Sequence, residues 1–107
     1  MKSKVAVVIL NWNGEDLLKK FLPGIVQHSG NAEIYVVDNN STDQSASIVQ
    51  KFPSIKWVPL QNNLGFAGGY NEGLKQINAD YFVLLNSDVE VKSYWISPVI
   101  NLMESDK

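Results

Sequence analysis

No cysteine occurs in this chain of 107 residues, and only one histidine does. Disulfides, thiolate metal sites and cysteine nucleophiles are therefore excluded, and a reducing compartment is compatible with the composition. A histidine metal cage or a Ser-His-Asp arrangement would have to be built on His28 alone, and His28 stands near the end of a helical pattern, where it reads as a surface or structural residue. Charge of one sign is also scarce. Lys and Arg number 9 against 11 Asp and Glu, a net charge of -2, and the lysines are scattered, so nucleic acid is not expected as a partner. Long hydrophobic runs are missing too: nothing approaches the roughly 20 consecutive apolar residues of a membrane span. The apolar stretch 5–10, which follows Lys2 and Lys4, is short for the core of a signal peptide and leads into Asn11, Trp12, Asn13 and Gly14. It reads as a buried strand in one compact domain covering residues 1–107.

That stretch is continuous in apolar residues rather than alternating, which suits a strand buried on both faces of a parallel sheet. Next, Leu17, Leu18, Phe21, Leu22 and Ile25 recur at helical spacing, with Asn13 as the expected N-cap and Glu15 and Asp16 in the first turn. Pro23 and Gly24 are expected to kink or shorten that helix. A second apolar run, 34–37, ends on Asp38. The polar stretch 39–43 then leads into another helix, for which Ser41 and Gln44 have capping-box spacing. Pro53 closes that helix, and 55–60 reads as a third strand that Pro59 places at or near an edge. A glycine-rich loop, 61–69, gives way to a helix ending near Asn78, and 81–85 forms a fourth uninterrupted apolar strand. In the tail, 93–104, a last helix would begin with Ser97 as cap and Pro98 as its first residue.

Strands alternating with helices predict an α/β fold of three layers, α/β/α, because parallel neighbours need right-handed crossovers. With the first strand central, the mostly parallel sheet takes the order 3-2-1-4. The gap between first and fourth strands is then the topological switch point, where ligands bind in open sheets of this kind.

The strand exits support that location, since each is polar or glycine-rich. Asn11 to Asn13 follow the first strand, Asp38 to Asn40 end the second, the glycine loop follows the third, and Asn86, Ser87 and Asp88 follow the fourth. A carboxylate at Asp38 can accept hydrogen bonds from a base N–H or from ribose hydroxyls, and Asn11 and Asn40 can add neutral directional contacts. The same residues also make Asx-turns and helix caps. In 62–73, Gly65, Gly68, Gly69 and Gly73 surround a helix start, where close backbone approach and free N–H groups favour a diphosphate. Glycines so spaced also serve turns and tight helix packing, and they match neither a Walker A loop nor G-x-G-x-x-G. Asp88, two residues after Asn86, can hold a hard divalent cation whose other ligands are waters and phosphate oxygens, or it can stand in a solvated turn. Glu90 reads as a plain exposed residue.

Four strings in this order, VAVVILNWNG, VVDNNSTDQS, NNLGFAGGYNEG and LLNSDVEV, resemble the N-terminal half of family 2 inverting glycosyltransferases of the GT-A fold, and the resemblance covers nearly the whole chain. It implies a donor site for a nucleotide-diphospho-sugar, UDP- or dTDP-linked. Asn11 and Asp38 would contact base and ribose, and Asn40, Gly65, Gly68, Asn71 and Asn86 would lie along the donor. Asp88 would match the last acid of the family's Asp-any-Asp motif, with Mg2+ or Mn2+ as the cation. The motif here reads Asn86-Ser87-Asp88, so an amide that binds a cation less strongly replaces the first acid. The Asn-any-Asp form, with NWNG and GFAGG, is most similar to bacterial rhamnosyltransferase-type members acting in surface polysaccharide synthesis.

The family's general base and acceptor site lie well downstream of the metal motif, beyond residue 107, and Asp106 follows Asp88 too closely to replace that base. The implied chain is a donor-binding portion that does not transfer efficiently by itself. Its full-length form would act in the cytoplasm or at the inner face of the membrane on a polysaccharide or lipid-linked saccharide acceptor. Apolar surface left open by the missing half would favour self-association. A non-catalytic nucleotide-binding or interaction module of Rossmann-like fold is the competing reading. A receiver or dinucleotide-binding fold lacks its own marks here, since neither an acid pair nor a phosphate fingerprint follows the first strand.

Overall fold

The computed structural model describes residues 4–86 and Ile96. Ser87, Asp88, Glu90, Asp106 and the tail helix anticipated from Ser97 and Pro98 lie outside the described residues. The elements run β1 (Val5–Asn11), α1 (Glu15–His28), β2 (Glu33–Asp38), α2 (Ser45–Val49), β3 (Ile55–Pro59), α3 (Gly65–Leu74) and β4 (Tyr81–Asn86). All strand pairs are parallel, and the order is β3-β2-β1-β4. This is the three-layer α/β arrangement and strand order expected from the alternation.

Side chains alternate across the sheet and so divide the core into two layers. Val7 and Ile9 of β1, Ile34 and Val36 of β2, and Leu85 of β4 face α1 and α2, where Leu18, Leu22, Ile25, Ile48 and Val49 cover them. Ala6 and Val8 of β1 and Tyr35 and Val37 of β2 face α3 with Tyr70. Burying a side chain such as Leu22 or Val37 contributes about 1.5–3 kcal/mol, and β1, covered on both faces, collects that gain along its length. Its continuous apolar run follows from this position.

β4 departs from its expected burial. Of its six residues only Leu85 is buried, and Leu84 is 50% exposed. The reason is placement: β4 is an edge of the described sheet, and α3 packs mainly over β2 and β1, reaching β4 through Tyr70, whose hydroxyl donates to the Leu85 carbonyl at 3.3 Å.

Local boundaries differ where a distant partner replaces a near one. Asn13 does not cap α1; the N-cap is Gly14, with no side-chain cap. Asn13 instead takes a positive φ of 49° and accepts a hydrogen bond from the Thr42 N–H at 2.7 Å, while the Glu15 N–H, first in α1, donates to Asp43 Oδ2 at 3.1 Å. Pro23 and Gly24 do not shorten α1, which continues to His28, because Pro23 lies on the exposed side while Leu22 and Ile25 anchor the helix on either side of it. The Ser41–Gln44 capping box does not form. α2 has Gln44 as N-cap without a side-chain bond, and Asp43 accepts from both Ser45 N–H and Ser45 Oγ. α3 starts at Gly65, inside the anticipated loop, and ends at Leu74 rather than near Asn78. β3 is an edge strand, and Pro59 is its last residue.

Candidate functional site

Register brings the strand exits level. Asn11 pairs with Asp38, Asp38 with Pro59, and Leu10 with Asn86. The carboxyl ends of all four parallel strands therefore form one rim, and the described residues at those exits stand along it.

The best-ordered part of the rim is a buckle between the β1–α1 and β2–α2 loops. Asn11 is 1% exposed and Asp38 4%. Asp38 Oδ1 accepts hydrogen bonds from Asn11 Nδ2 at 2.9 Å and Ser41 Oγ at 2.6 Å, and its Oδ2 accepts from the Ser41 N–H at 2.8 Å. Ser41 Oγ also accepts from the Asn13 N–H at 2.8 Å and from Asn11 Nδ2 at 3.3 Å. So Asp38 fixes its own turn, through the N–H and hydroxyl of the residue three positions on rather than the N–H two positions on that an Asx-turn uses. The network nevertheless leaves capacity: Asp38 Oδ2 has one partner, and Asn11 Oδ1 is buried with none. Turning the Asn11 amide over would set its oxygen against Asp38 Oδ1, so the donor-toward-carboxylate orientation is the favourable one. An unmet buried acceptor costs about 1–3 kcal/mol, which a ligand N–H or O–H would recover.

Asp43 completes the buckle. Burial raises its carboxyl pKa, but hydrogen bonds from Ser45 Oγ, the Ser45 N–H, the Glu15 N–H and its own N–H outweigh that and hold it below the ordinary aspartate value.

Beside this network an open cleft of about 450 Å³ occupies the gap between the β1 and β4 exits, the expected switch point. Its lining is Leu10, Trp12 and Leu17 on one side, Asn39, Asn63, Gly65 and Phe66 on the other, and Asn86 at the β4 end. Among the described residues lining it, no side chain ionises. Trp12 is 57% exposed and Phe66 67%, and Phe66 stands edge-on to buried Tyr70, with ring centroids 5.0 Å apart. Amides and aromatic faces without charge suit a neutral ring, a base or a sugar, better than a bare diphosphate. A second groove of about 420 Å³, lined by Pro59, Leu60, Gln61 and Glu72 among others, lies at the β3 exit and outer side of α3. The β1 and β4 exits do not open into it, so the switch-point cleft is the better candidate.

The remaining anticipated residues separate. Gly65 and Asn86 line the cleft. Asn40 is exposed on the rim with φ 65°, a backbone conformation that asparagine tolerates better than most residues. Gly68 and Asn71 lie on α3 and are not among the residues lining either hollow. Glycine has two uses along this stretch. Gly65 has φ 76° and open space around it, so the backbone itself requires glycine. At Gly69 and Gly73 packing requires it: a Cβ would lie 2.7 Å from Asn39 Nδ2 at the first and 2.5 Å from Val37 Cγ2 at the second.

Sequence reasoning gave no individual part in the site to Asn39, Asp43, Asn63, Trp12 or Phe66, and took Ser41 only as a helix cap. The aromatic pair carried a usable signal, since each is a large ring immediately beyond a strand exit or at a helix start. The partners of Asn39 and Asp43 lie 25 or more residues away in sequence or across a turn, and no local pattern reveals them. Among the described residues no group of three or more His, Cys, Asp or Glu could hold a metal ion, and no helix is long and apolar enough to cross a membrane.

Comparison with known proteins agrees with this geometry. The family described as Glycosyl transferase family 2 matches residues 6–107. The UDP-Glc:alpha-D-GlcNAc-diphosphoundecaprenol beta-1,3-glucosyltransferase WfaP of Escherichia coli is 30% identical over 110 residues, covering 96% of this chain and 42% of that protein. The teichoic acid poly(glycerol phosphate) polymerase of Staphylococcus epidermidis is 27% identical, covering 89% of this chain and 14% of its own length. The chain thus spans less than half the length of these relatives. Among solved structures, S. aureus TarS 1-349 in complex with UDP-GlcNAc superposes with a TM-score of 0.83 at 25% identity, covering 95% of this chain and 31% of that one. The mannosyltransferase PcManGT from Pyrobaculum calidifontis, in complex with GDP-Man and Mn2+, shares the fold with a TM-score of 0.80 at 21% identity, over 97% of this chain and 32% of that one. With the match running from β1 to the last residue, the chain belongs to glycosyl transferase family 2.

Proposed function

We propose that these residues bind the donor of a glycosyltransferase, a nucleotide-diphospho-sugar carried on UDP or dTDP, for inverting transfer to a polysaccharide or lipid-linked acceptor. The observation that carries the reading is the cleft at the switch point, whose described lining is aromatics, amides and apolar side chains, beside a buried acceptor, Asn11 Oδ1, that has no partner among the described residues. The cleft would take a neutral ring of the donor. Asn11 Oδ1 and Asp38 Oδ2 would accept from N–H or O–H groups of base or ribose, with Asn40 on the open rim beside them. Gly65, Gly68 and Asn71 extend the proposed donor surface along α3.

The diphosphate would lie toward Asn86 and Asp88, with Mg2+ or Mn2+ held by Asp88. Bound there, the cation would offset the charge that develops on the leaving diphosphate. Asn86 offers a neutral amide oxygen rather than a carboxylate, so the affinity for metal would be modest. The NWNG and GFAGG strings favour a rhamnosyltransferase-type member, with the base, uracil or thymine, left to the titration. Transfer also needs a base to deprotonate the acceptor hydroxyl, placed in the proposal beyond residue 107, so donor binding without efficient transfer is expected of these residues alone. Action in the cytoplasm or at the inner membrane face is part of the same proposal.

Calorimetric titration of UDP, dTDP and GDP, with and without Mn2+ or Mg2+, tests it on wild type, Asp38→Ala and Asp88→Ala. Metal-assisted binding weakened in both variants is the expected result. A folded wild-type chain that binds none of the three would overturn the donor-site reading and leave the strand-end residues as turns and caps, in keeping with a non-catalytic interaction module.

A further inference from the structure

Asn39 is a buried amide on the rim whose two side-chain polar atoms both bind the same piece of remote chain. It is 2% exposed and stands one residue beyond β2. Its N–H donates to the Asn11 carbonyl at 2.8 Å, which continues the β1–β2 pairing past the end of the strands. Its side chain turns to the third element of the rim: Oδ1 accepts from the Leu64 N–H at 2.9 Å, and Nδ2 donates to the Gly65 carbonyl at 2.9 Å. A primary amide offers the donor and acceptor of a peptide group, so here it replaces a strand that is not there. Both partners stand at the very start of α3. Leu64 is the N-cap of α3 with no side chain capping it, and Gly65 is its first residue, at φ 76°.

Packing closes the same joint from the other side. The missing side chain of Gly69 lets α3 approach until a Cβ there would come within 2.7 Å of Asn39 Nδ2 and 2.8 Å of Leu10 Cδ1. Asn63 Oδ1 accepts from the Gly65 N–H at 2.8 Å and trims the turn. The α3 wall of the cleft, Asn63, Gly65 and Phe66, therefore hangs from Asn39, and the facing wall of Leu10, Trp12 and Leu17 is set by β1 and α1.

We propose that Asn39 is a positioning residue: by clasping Leu64 and Gly65 it sets the distance between the Phe66 wall and the Trp12 wall, and so tunes the cleft to its ligand. The inference rests on the donor-binding reading for its consequence but not for its mechanism. An aspartate at this position keeps the acceptor for the Leu64 N–H, yet it sets a carboxylate oxygen against the Gly65 carbonyl in place of a donor. An alanine removes both bonds.

Amide hydrogen exchange on the 107-residue chain, followed by NMR, reads the clasp directly. In wild type the Leu64 amide should exchange markedly more slowly than the amides of Asn62 and Asn63; equal rates would overturn the clasp even if no variant folds. In Asn39→Ala the Leu64 protection should disappear, with shift changes concentrated at residues 62–67. Unchanged protection would also overturn it.

Titration of UDP, dTDP and GDP with Mn2+ on the same samples tests the consequence. A misplaced wall should weaken binding about tenfold in Asn39→Ala and Asn39→Asp, while Ile55→Val, in the opposite core layer, binds as wild type does despite lower stability. Variants that lose the clasp yet bind nucleotide as tightly as wild type would overturn the positioning role and leave the donor site standing. A wild type that shows the clasp but binds no nucleotide would overturn the donor site, and the cleft-tuning role with it, and leave the clasp standing.

Discussion

Asn11 and Asp38 face each other across the β1–β2 pair and are joined by a 2.9 Å hydrogen bond in which the amide donates to the carboxylate. The bond is buried, and it leaves the amide oxygen of Asn11 without a partner. Asp38→Ala removes the acceptor of three hydrogen bonds and leaves the Asn11 amide with only a long contact to Ser41 Oγ. The expected loss is about 1–3 kcal/mol of unfolding free energy, measured by urea denaturation. Asn11→Asp should be worse than Asn11→Ala, since it sets a second buried carboxylate against the first.

The aromatic walls of the cleft should behave oppositely to the buckle. Trp12 and Phe66 are mostly exposed, so Trp12→Ala should change stability by no more than about 0.5 kcal/mol. Phe66→Ala should add the edge contact with Tyr70, about 0.5–1.5 kcal/mol. Donor affinity, read by calorimetry, should fall in both while the fold persists; affinity equal to wild type in both would remove the cleft from the binding reaction.

Two glycines in helices should give changes of opposite sign. Gly24→Ala in α1 meets nothing within 4 Å and gains about 0.5–1 kcal/mol from lower backbone freedom in the unfolded chain. Gly73→Ala in α3 drives a methyl to within 2.5 Å of Val37 Cγ2, and overpacking of that kind costs about 1–3 kcal/mol. Thermal unfolding of the pair side by side gives the comparison.

The pH dependence of stability should carry a contribution from Asp43. Its folded pKa is lowered by hydrogen bonds that outweigh burial, so the folded state binds this proton less readily than the unfolded chain does. The contribution is fully present above the unfolded pKa and is lost as the pH falls through the folded value. Asp43→Asn should be less stable than wild type at neutral pH, and the gap should narrow in acid. A gap that stays constant down to low pH would mean that the hydrogen-bonded charge does not contribute.

Periodic patterns made the architecture legible, because continuous apolar strands and helical spacing are imposed by the sheet and its two covering layers. Strand order followed once β1 was read as central, and Pro59 marked the opposite edge. What stayed hidden was the wiring between loops. Asn13 and Ser41 looked like caps for the helices they precede, and each is used instead across a separation of 28 to 30 residues or within its own turn. In the glycine-rich string, composition could not separate Gly65, required by a positive φ, from Gly69 and Gly73, required by contact with β1 and β2 residues. Asn39 escaped notice because one asparagine among several carries no mark of burial.

Pro59 has a consequence for how the molecule meets its own copies. It closes the outer strand with a residue that has no N–H to give, and Lys56 on the same strand holds a charge at that border while pairing with Glu33 at 3.2 Å. Another chain seeking to zip onto this border would find a broken row of donors and an ammonium group to desolvate. Crowding therefore does not turn the β3 side into a seed for fibrous growth.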